Sequence, residues 1–172
     1  MLPRNYQLVT PRLVLRPLLE EDRQAMIAIV CDPKVTKSYM IPDFESQEQK
    51  DAFFQKLMTI SQNRDRFVYG IALDGMAIGF LNEVEKDDTS IELGYFIDSN
   101  HWNKGYASEA LHAAIEELFR MGFSSVRAAH FEMNPASGRV MQKCGMTRFG
   151  KDETIDYRGQ SHRCVYYAIS RP

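Results

Sequence analysis

One segment restricts the fold of this chain more than any other. Residues 91–97 read as a strand, His101-Trp102-Asn103-Lys104-Gly105 as a turn, residues 105–121 as a helix, and residues 125–131 as a second strand. The helix places Ala107, Ala110, Leu111, Ala114, Ile115, Leu118 and Phe119 on one apolar stripe at helical spacing. Gly122 ends it. Strand, helix and strand in succession predict a parallel pair joined by a right-handed crossover. The turn also has a chemical consequence. Where a strand runs through a Gly turn into a helix, the first helical N–H groups lack partners and the helix dipole adds positive charge beside them. Such an end suits a phosphate.

The segments before this unit read differently. Residues 12–16 alternate as a strand, and Pro17 stops it. Residues 20–30 read as a helix with Ala25, Met26, Ile29 and Val30 on its apolar side, ended by Pro33. A short helix is expected over residues 35–40. A longer one begins after Ser46, whose Ser-Gln-Glu-Gln pattern is a capping box, and buries Phe53, Phe54, Leu57, Met58 and Ile60. Strands over 66–73 and 76–84 flank the tight turn Asp74-Gly75. A charged loop, 85–88, leads to the strand that opens the unit above, which makes an antiparallel meander. After the unit come a helix over 135–144, with Pro135 in its first turn and Gly145 past its end, and strands over 146–152 and 163–170 joined through Arg158-Gly159. The expected fold is α/β with a mixed sheet, an antiparallel meander followed by one parallel pair.

Composition narrows the function classes. The 21 basic and 23 acidic side chains give a net charge of −2, a poor footprint for nucleic acid. No apolar run nears the ~20 residues of a membrane span, and no apolar stretch follows Arg4 to make a signal peptide. Cys31, Cys144 and Cys164 are odd in number and lack CxxC spacing, so a reduced, cytoplasmic protein without a membrane partner is expected. One domain over 1–172 is the natural division. His101, His112, His130 and His162 are scattered, so no metal site is expected.

On spacing alone, Gly105 equally serves an ordinary tight turn. The segment lacks the GxGxxG of a dinucleotide fold and the GKS/T of a P-loop. A second motif follows the next strand, Asn134-Pro135-Ala136-Ser137-Gly138-Arg139-Val140-Met141-Gln142-Lys143-Cys144-Gly145-Met146. Together with the turn and with Thr10-Pro11-Arg12-Leu13-Val14-Leu15-Arg16-Pro17, it resembles the GNAT N-acetyltransferase superfamily, in particular the branch of Rim-type ribosomal-protein N-terminal acetyltransferases. The resemblance spans essentially the whole chain.

The resemblance implies acetyl-CoA as donor, entering between the splayed ends of the strands at 91–97 and 125–131. The residues it assigns to the donor are Tyr95, Phe96 and Ile97 on the first strand, the turn Trp102, Asn103, Lys104, Gly105, Tyr106, Ala107 and Ser108, and Asn134 and Ser137 after the second strand. The side chain of Tyr106 is expected in packing. Trp102 departs from the Arg or Gln usual at its position, which matters little when main-chain N–H groups hold the pyrophosphate. Asn134 would bond the pantetheine arm, or simply cap the next helix. Ser137 is the candidate to protonate the leaving thiolate, its alternative being an inert early-helix serine. Cys144 is expected in the core.

The implied reaction is direct attack of a neutral amine on a thioester. From ordinary pKa values, roughly 10–15% of an α-amine but only ~0.04% of lysine is neutral at pH 7, an advantage of roughly 300-fold, or ~3.5 kcal/mol. Glu92 is the first candidate base and Glu83 the second, although a carboxylate on a half-exposed strand is usually solvated. A backbone N–H near residues 95–97 would stabilise the developing oxyanion. The acceptor is expected to be a protein N-terminus, against a polyamine or antibiotic amine. A non-catalytic acyl-CoA sensor and a nicotinamide-binding protein remain the readings from other classes. The acceptor site is expected from residues 39–44, 85–88 and 154–159, and the resemblance also admits a homodimer.

Overall fold

The computed structural model describes residues 1–171, with the backbone alone at 151 and 152; residue 172 of the expected 1–172 unit lies outside the described residues. Its strands are β1 (Leu8–Val9), β2 (Leu13–Arg16), β3 (Val68–Leu73), β4 (Met76–Lys86), β5 (Ser90–Ile97), β6 (Ser125–Phe131), β7 (Thr147–Tyr157) and β8 (Gln160–Ser170). The helices are α1 (Arg23–Val30), α2 (Pro33–Thr36), α3 (Gln47–Gln62), α4 (Tyr106–Arg120) and α5 (Pro135–Lys143), with short 3-10 turns at Glu20–Asp22 and Ser99–His101. The eight strands form one sheet in the order β1-β2-β3-β4-β5-β6-β8-β7. Only β5 and β6 run parallel; every other neighbouring pair is antiparallel.

Helices cover both faces. Leu111, Ile115 and Leu118 of α4 and Met141 of α5 pack with Ile91, Leu93, Val126 and Ala128 on one face. Met26 and Ile29 of α1 and Phe54 and Leu57 of α3 pack with Val68, Phe80 and Phe96 on the other. Charged groups tie the layers together. Arg16 forms a bidentate pair with the fully buried Asp22 at 2.8 and 3.1 Å, and Asp22 also accepts the N–H groups of Leu19 and Ala77. Burial opposes ionisation of Asp22, but these donors outweigh it and hold its carboxyl below the ordinary range.

Several elements differ from the expectation. The short helix is Pro33–Thr36, since Pro33 sits at its first position behind the N-cap Asp32, whose carboxylate accepts from Lys34 N–H at 2.9 Å. β4 continues to Lys86, so half of the expected 85–88 loop is strand. β7 extends to Tyr157 and β8 starts at Gln160, which leaves a two-residue hairpin with φ of +52° at Arg158 and +71° at Gly159. The two-residue β1 has no sequence signal of its own and exists by pairing Leu8 and Val9 with Leu15 and Val14.

The feature that positions the site is a separation of strands. β5 and β6 stay in register only over Ser90–Leu93 and Ser125–Ala128. Beyond Leu93 and Ala128 they part. At the same level β4 carries a bulge between Glu83 and Glu85, against Leu93 and Glu92 of β5. An extra residue on one strand adds bend and twist to the pair, which turns the end of β5 away from β6.

Candidate active site

The separation opens a cleft of about 310 Å³. Its walls are the end of β5, the turn before α4, the end of β6 and the start of α5. Tyr95, Phe96, Ile97, Trp102, Asn103, Gly105, Tyr106, Ala107, Ser108, Asn134 and Ser137 all line it. Lys104, expected beside them, does not; its ammonium turns back to the carbonyl of Asn100 at 3.2 Å.

The turn leaves main-chain donors open toward the cleft. Gly105 has φ +83°, the left-handed conformation that any side chain would strain, and a Cβ there would lie 3.3 Å from the guanidinium of Arg12. The first bond inside α4 runs from Glu109 N–H to Gly105 O at 3.0 Å, so the N–H groups of Tyr106, Ala107 and Ser108 have no partner within the helix. A strut from the N-terminal motif holds the turn. Arg12 donates to the Lys104 carbonyl at 2.9 Å and to Glu109 at 2.7 Å, and its guanidinium lies 4.5 Å over the Tyr106 ring. Glu109 also accepts from Thr10 at 2.6 Å and from Arg12 N–H at 2.9 Å. Burial works against the charge on Glu109, and these bonds overcome it, so its carboxyl sits below the ordinary range. In the sequence Thr10 and Arg12 stand out only as part of a motif, because a strut spanning 97 positions has no local signature.

Asn134 stands at the N-cap position of α5, yet its side chain makes no capping bond. It lines the cleft instead. Ser137 lies in the first turn of α5, with its Oγ 3.1 Å from the phenol oxygen of Tyr95. Trp102 donates its indole N–H to the Ile97 carbonyl at 2.8 Å and so closes the end of β5. Arg139 and Lys143, four residues apart on α5, also line the cleft and bring positive charge to it. Their spacing was visible in the sequence, but nothing there showed which face of α5 they share.

The two candidate bases stand apart from this arrangement. Glu83 is buried at the β4 bulge, opposite Leu93, where it accepts from Phe67 N–H at 2.9 Å and pairs with Lys86 at 3.0 Å and with Arg66. It does not line the cleft, because β4 runs on past it and binds it into the ladder. Glu92 is also buried, in register with Arg127 on β6, one residue below the separation. By alternation along β5 it shares a face with Gly94 and Phe96. That face meets Tyr39, since a Cβ on Gly94 would lie 2.9 Å from the Tyr39 hydroxyl.

Tyr39 donates to Asn82 at 2.7 Å and forms the second side of the cleft together with Val35 and Ser38. The hairpin between β7 and β8 reaches this region. The Tyr157 hydroxyl sits among the carbonyls of Thr36, Tyr39 and Ile41 at 2.7, 3.2 and 3.0 Å, and Arg158 pairs with Asp43 at 2.6 Å. Residues 39–44 and 154–159 are therefore brought together, as expected. Residues 85–88 are not: they precede β5 at its closed end, roughly 20 Å of strand from the cleft. His130 lines the cleft and places Nδ1 2.8 Å from the Phe131 carbonyl. Cys144 is buried with its thiol on the Ser108 carbonyl at 3.3 Å, and burial pushes its pKa up to about 11, which suits an inert core residue.

Residues 12–147 match the family model described as Acetyltransferase (GNAT) domain. The chain is 31% identical to the uncharacterized N-acetyltransferase YoaA of Bacillus subtilis (strain 168), over 96% of this chain and 97% of that one. The fold is similar to that of a GNAT-family acetyltransferase from Bacillus anthracis, with a TM-score of 0.81 at 26% identity over 95% of this chain and 98% of the other. It is also similar to RimL, a ribosomal L7/L12 α-N-protein acetyltransferase solved in complex with coenzyme A, with a TM-score of 0.79 at 23% identity over 95% and 97% of the two chains. Among the described residues, no helix is long and apolar enough to cross a membrane.

Proposed function

The chain belongs to the GNAT acetyltransferase family, and we propose that it moves acetyl from acetyl-CoA to a protein N-terminal α-amine by direct attack. The observation that carries this reading is the cleft itself: two strands that part beside a helix start with unpartnered N–H groups. A pyrophosphate would rest on the main chain of Gly105, Tyr106, Ala107 and Ser108, with Arg139 and Lys143 offsetting its charge. The pantetheine amides would meet the free edge of β5 at residues 94–97 and the uncommitted side chain of Asn134. The thioester supplies an activated acyl group; the chain supplies position and proton transfer.

Ser137 is the proposed acid for the departing sulfur. Glu92 lies on the Tyr39 side of β5 and is the proposed final acceptor of the amine's proton. An α-amine makes little demand on that group, since a useful fraction is already neutral near pH 7. This favours an N-terminus over a lysine, and the N-terminal specificity of RimL points the same way.

Thiol release from acetyl-CoA tests the proposal. Peptides with a free N-terminus are expected to turn over, and the same peptides with a blocked N-terminus and a free lysine are not. Faster release with polyamines or an antibiotic amine would replace the acceptor and keep the enzyme. The chain has a single tryptophan, Trp102, and it lines the cleft, so CoA is expected to change its fluorescence in a saturable titration. Saturable CoA binding without turnover on any amine would favour a sensor. NADH binding that CoA does not compete would sink the donor assignment.

A further inference from the structure

The sheet does not join the two walls of the cleft, but one side chain does. Beyond the last register pair, Leu93 and Ala128, β5 and β6 are apart. Tyr95 lies two residues further along β5, packed against the α4–α5 core. Its hydroxyl crosses to the first turn of α5, where it is 3.1 Å from Ser137 Oγ and 3.3 Å from the Ser137 carbonyl oxygen.

Each hydroxyl has one proton to give, so two arrangements share these distances. In the first, the phenol donates to the carbonyl and the serine donates to the phenol, which turns the seryl proton away from the cleft. In the second, the phenol donates to Oγ and the seryl proton is left to point into the cleft. For the phenol's own proton, Oγ at 3.1 Å is the nearer acceptor and the carbonyl at 3.3 Å the farther one, which favours the second. Burial holds the Tyr95 phenol well above its ordinary pKa, so it stays protonated and able to donate.

We propose that Tyr95 is a positioning residue for the transfer step, donating to Ser137 Oγ so that the seryl proton faces the leaving sulfur. The inference rests on the reading of Ser137 as the acid. As the new N–C bond forms, the C–S bond breaks and its electron pair stays on sulfur. The seryl proton passes to that sulfur. The seryl oxygen, briefly anionic, takes a proton back from solvent, while the proton given up by the attacking amine passes to Glu92. A phenol donating to that oxygen favours its charged form, so Tyr95 both aims the proton and makes it easier to release.

Steady-state kinetics of Tyr95→Phe, Ser137→Ala and the double variant provide the test. Tyr95→Phe keeps the ring and is expected to lower kcat about tenfold, with KM for acetyl-CoA changed by less than about twofold. Ser137→Ala is expected to lower kcat about 100-fold. The double variant should be no slower than Ser137→Ala, because groups acting as a unit are not additive. Wild-type kcat in Tyr95→Phe overturns the inference. So does a tenfold loss that recurs in the Ser137→Ala background, which is what a simple tie between the walls would produce. Either result with an impaired Ser137→Ala removes Tyr95 and keeps the acid. Wild-type turnover in Ser137→Ala removes both. Should Tyr95→Phe fail to fold, 3-fluorotyrosine at position 95 keeps the shape and strengthens the donor. Its kcat at neutral pH is expected at or above wild type, and a fall overturns the inference.

Discussion

On the wall of the cleft proposed to face the donor, the working parts sit within short stretches of chain: Trp102 to Ser108 on one side, Asn134 to Ser137 on the other. On the wall proposed to face the acceptor they come from far apart. Tyr157 and Arg158 meet Thr36, Tyr39, Ile41 and Asp43 across 115 to 121 positions. The first wall is mainly backbone, a left-handed Gly and the uncapped start of a helix. The second depends on one hydroxyl shared by three carbonyls and on an ion pair at the surface. A wall made of main chain holds a group that every donor shares. A wall made of distant side chains can change with its partner while the sheet stays the same.

If the walls are separable, changes in each should move one substrate and spare the other. The largest effect is expected at Gly105. Gly105→Val places a branched side chain at φ +83° and against Arg12, which should cost about 1–2 kcal/mol of stability. It should also raise KM for acetyl-CoA by about tenfold or more while KM for the peptide stays level. An equal rise in both would mean that the walls act as one. Next is Tyr157→Phe, which leaves its hydroxyl's partners unmatched and should cost about 1–2 kcal/mol in a thermal or denaturant melt. Its KM for the acceptor peptide should rise several-fold, with the Trp102 titration by CoA unchanged.

Acid sharpens the contrast from the donor side. Glu109 has a folded-state pKa below the ordinary value, so its contribution is complete above the unfolded pKa of about 4.3 and is lost as pH falls through the depressed value. Wild-type stability should therefore decline on acidification below about pH 4, and Glu109→Gln, weaker at neutral pH, should show a shallower decline. Chemical melts of the two proteins across that range would decide it. The smallest effect is expected for Arg158→Ala. The pair with Asp43 is largely exposed and should be worth no more than about 1 kcal/mol, with a correspondingly small change in acceptor KM.

The same contrast decides how much the sequence revealed. The stripe of α4, the Asp74-Gly75 hairpin and the order of strands were legible because each follows from neighbouring residues. So was the turn, since a glycine between a strand and a helix is a local signal. The choice between capping and cleft at Asn134 was not legible, because it depends on where a side chain points after α5 has docked. Glu83 read like any strand carboxylate; its role follows from Arg66 and Lys86 converging on it from two directions. Tyr157 carried no signal either, because its partners come from a loop more than a hundred positions away. The strut from Arg12 to Glu109 failed to show for the same reason.

The short seam between β5 and β6 has a thermodynamic consequence. Only four register pairs join the β1–β5 half of the sheet to the β6–β8 half, and the far edge of β5 offers main-chain groups to the gap. A ligand that pairs with that edge completes a ladder that the polypeptide leaves unfinished. Its binding energy would then count toward the folded state, adding about 2.7 kcal/mol when the ligand stands at 100 times its dissociation constant. The protein would be most robust when acetyl-CoA is plentiful and easiest to unfold when it is scarce, so that its lifetime would follow the supply of its own donor.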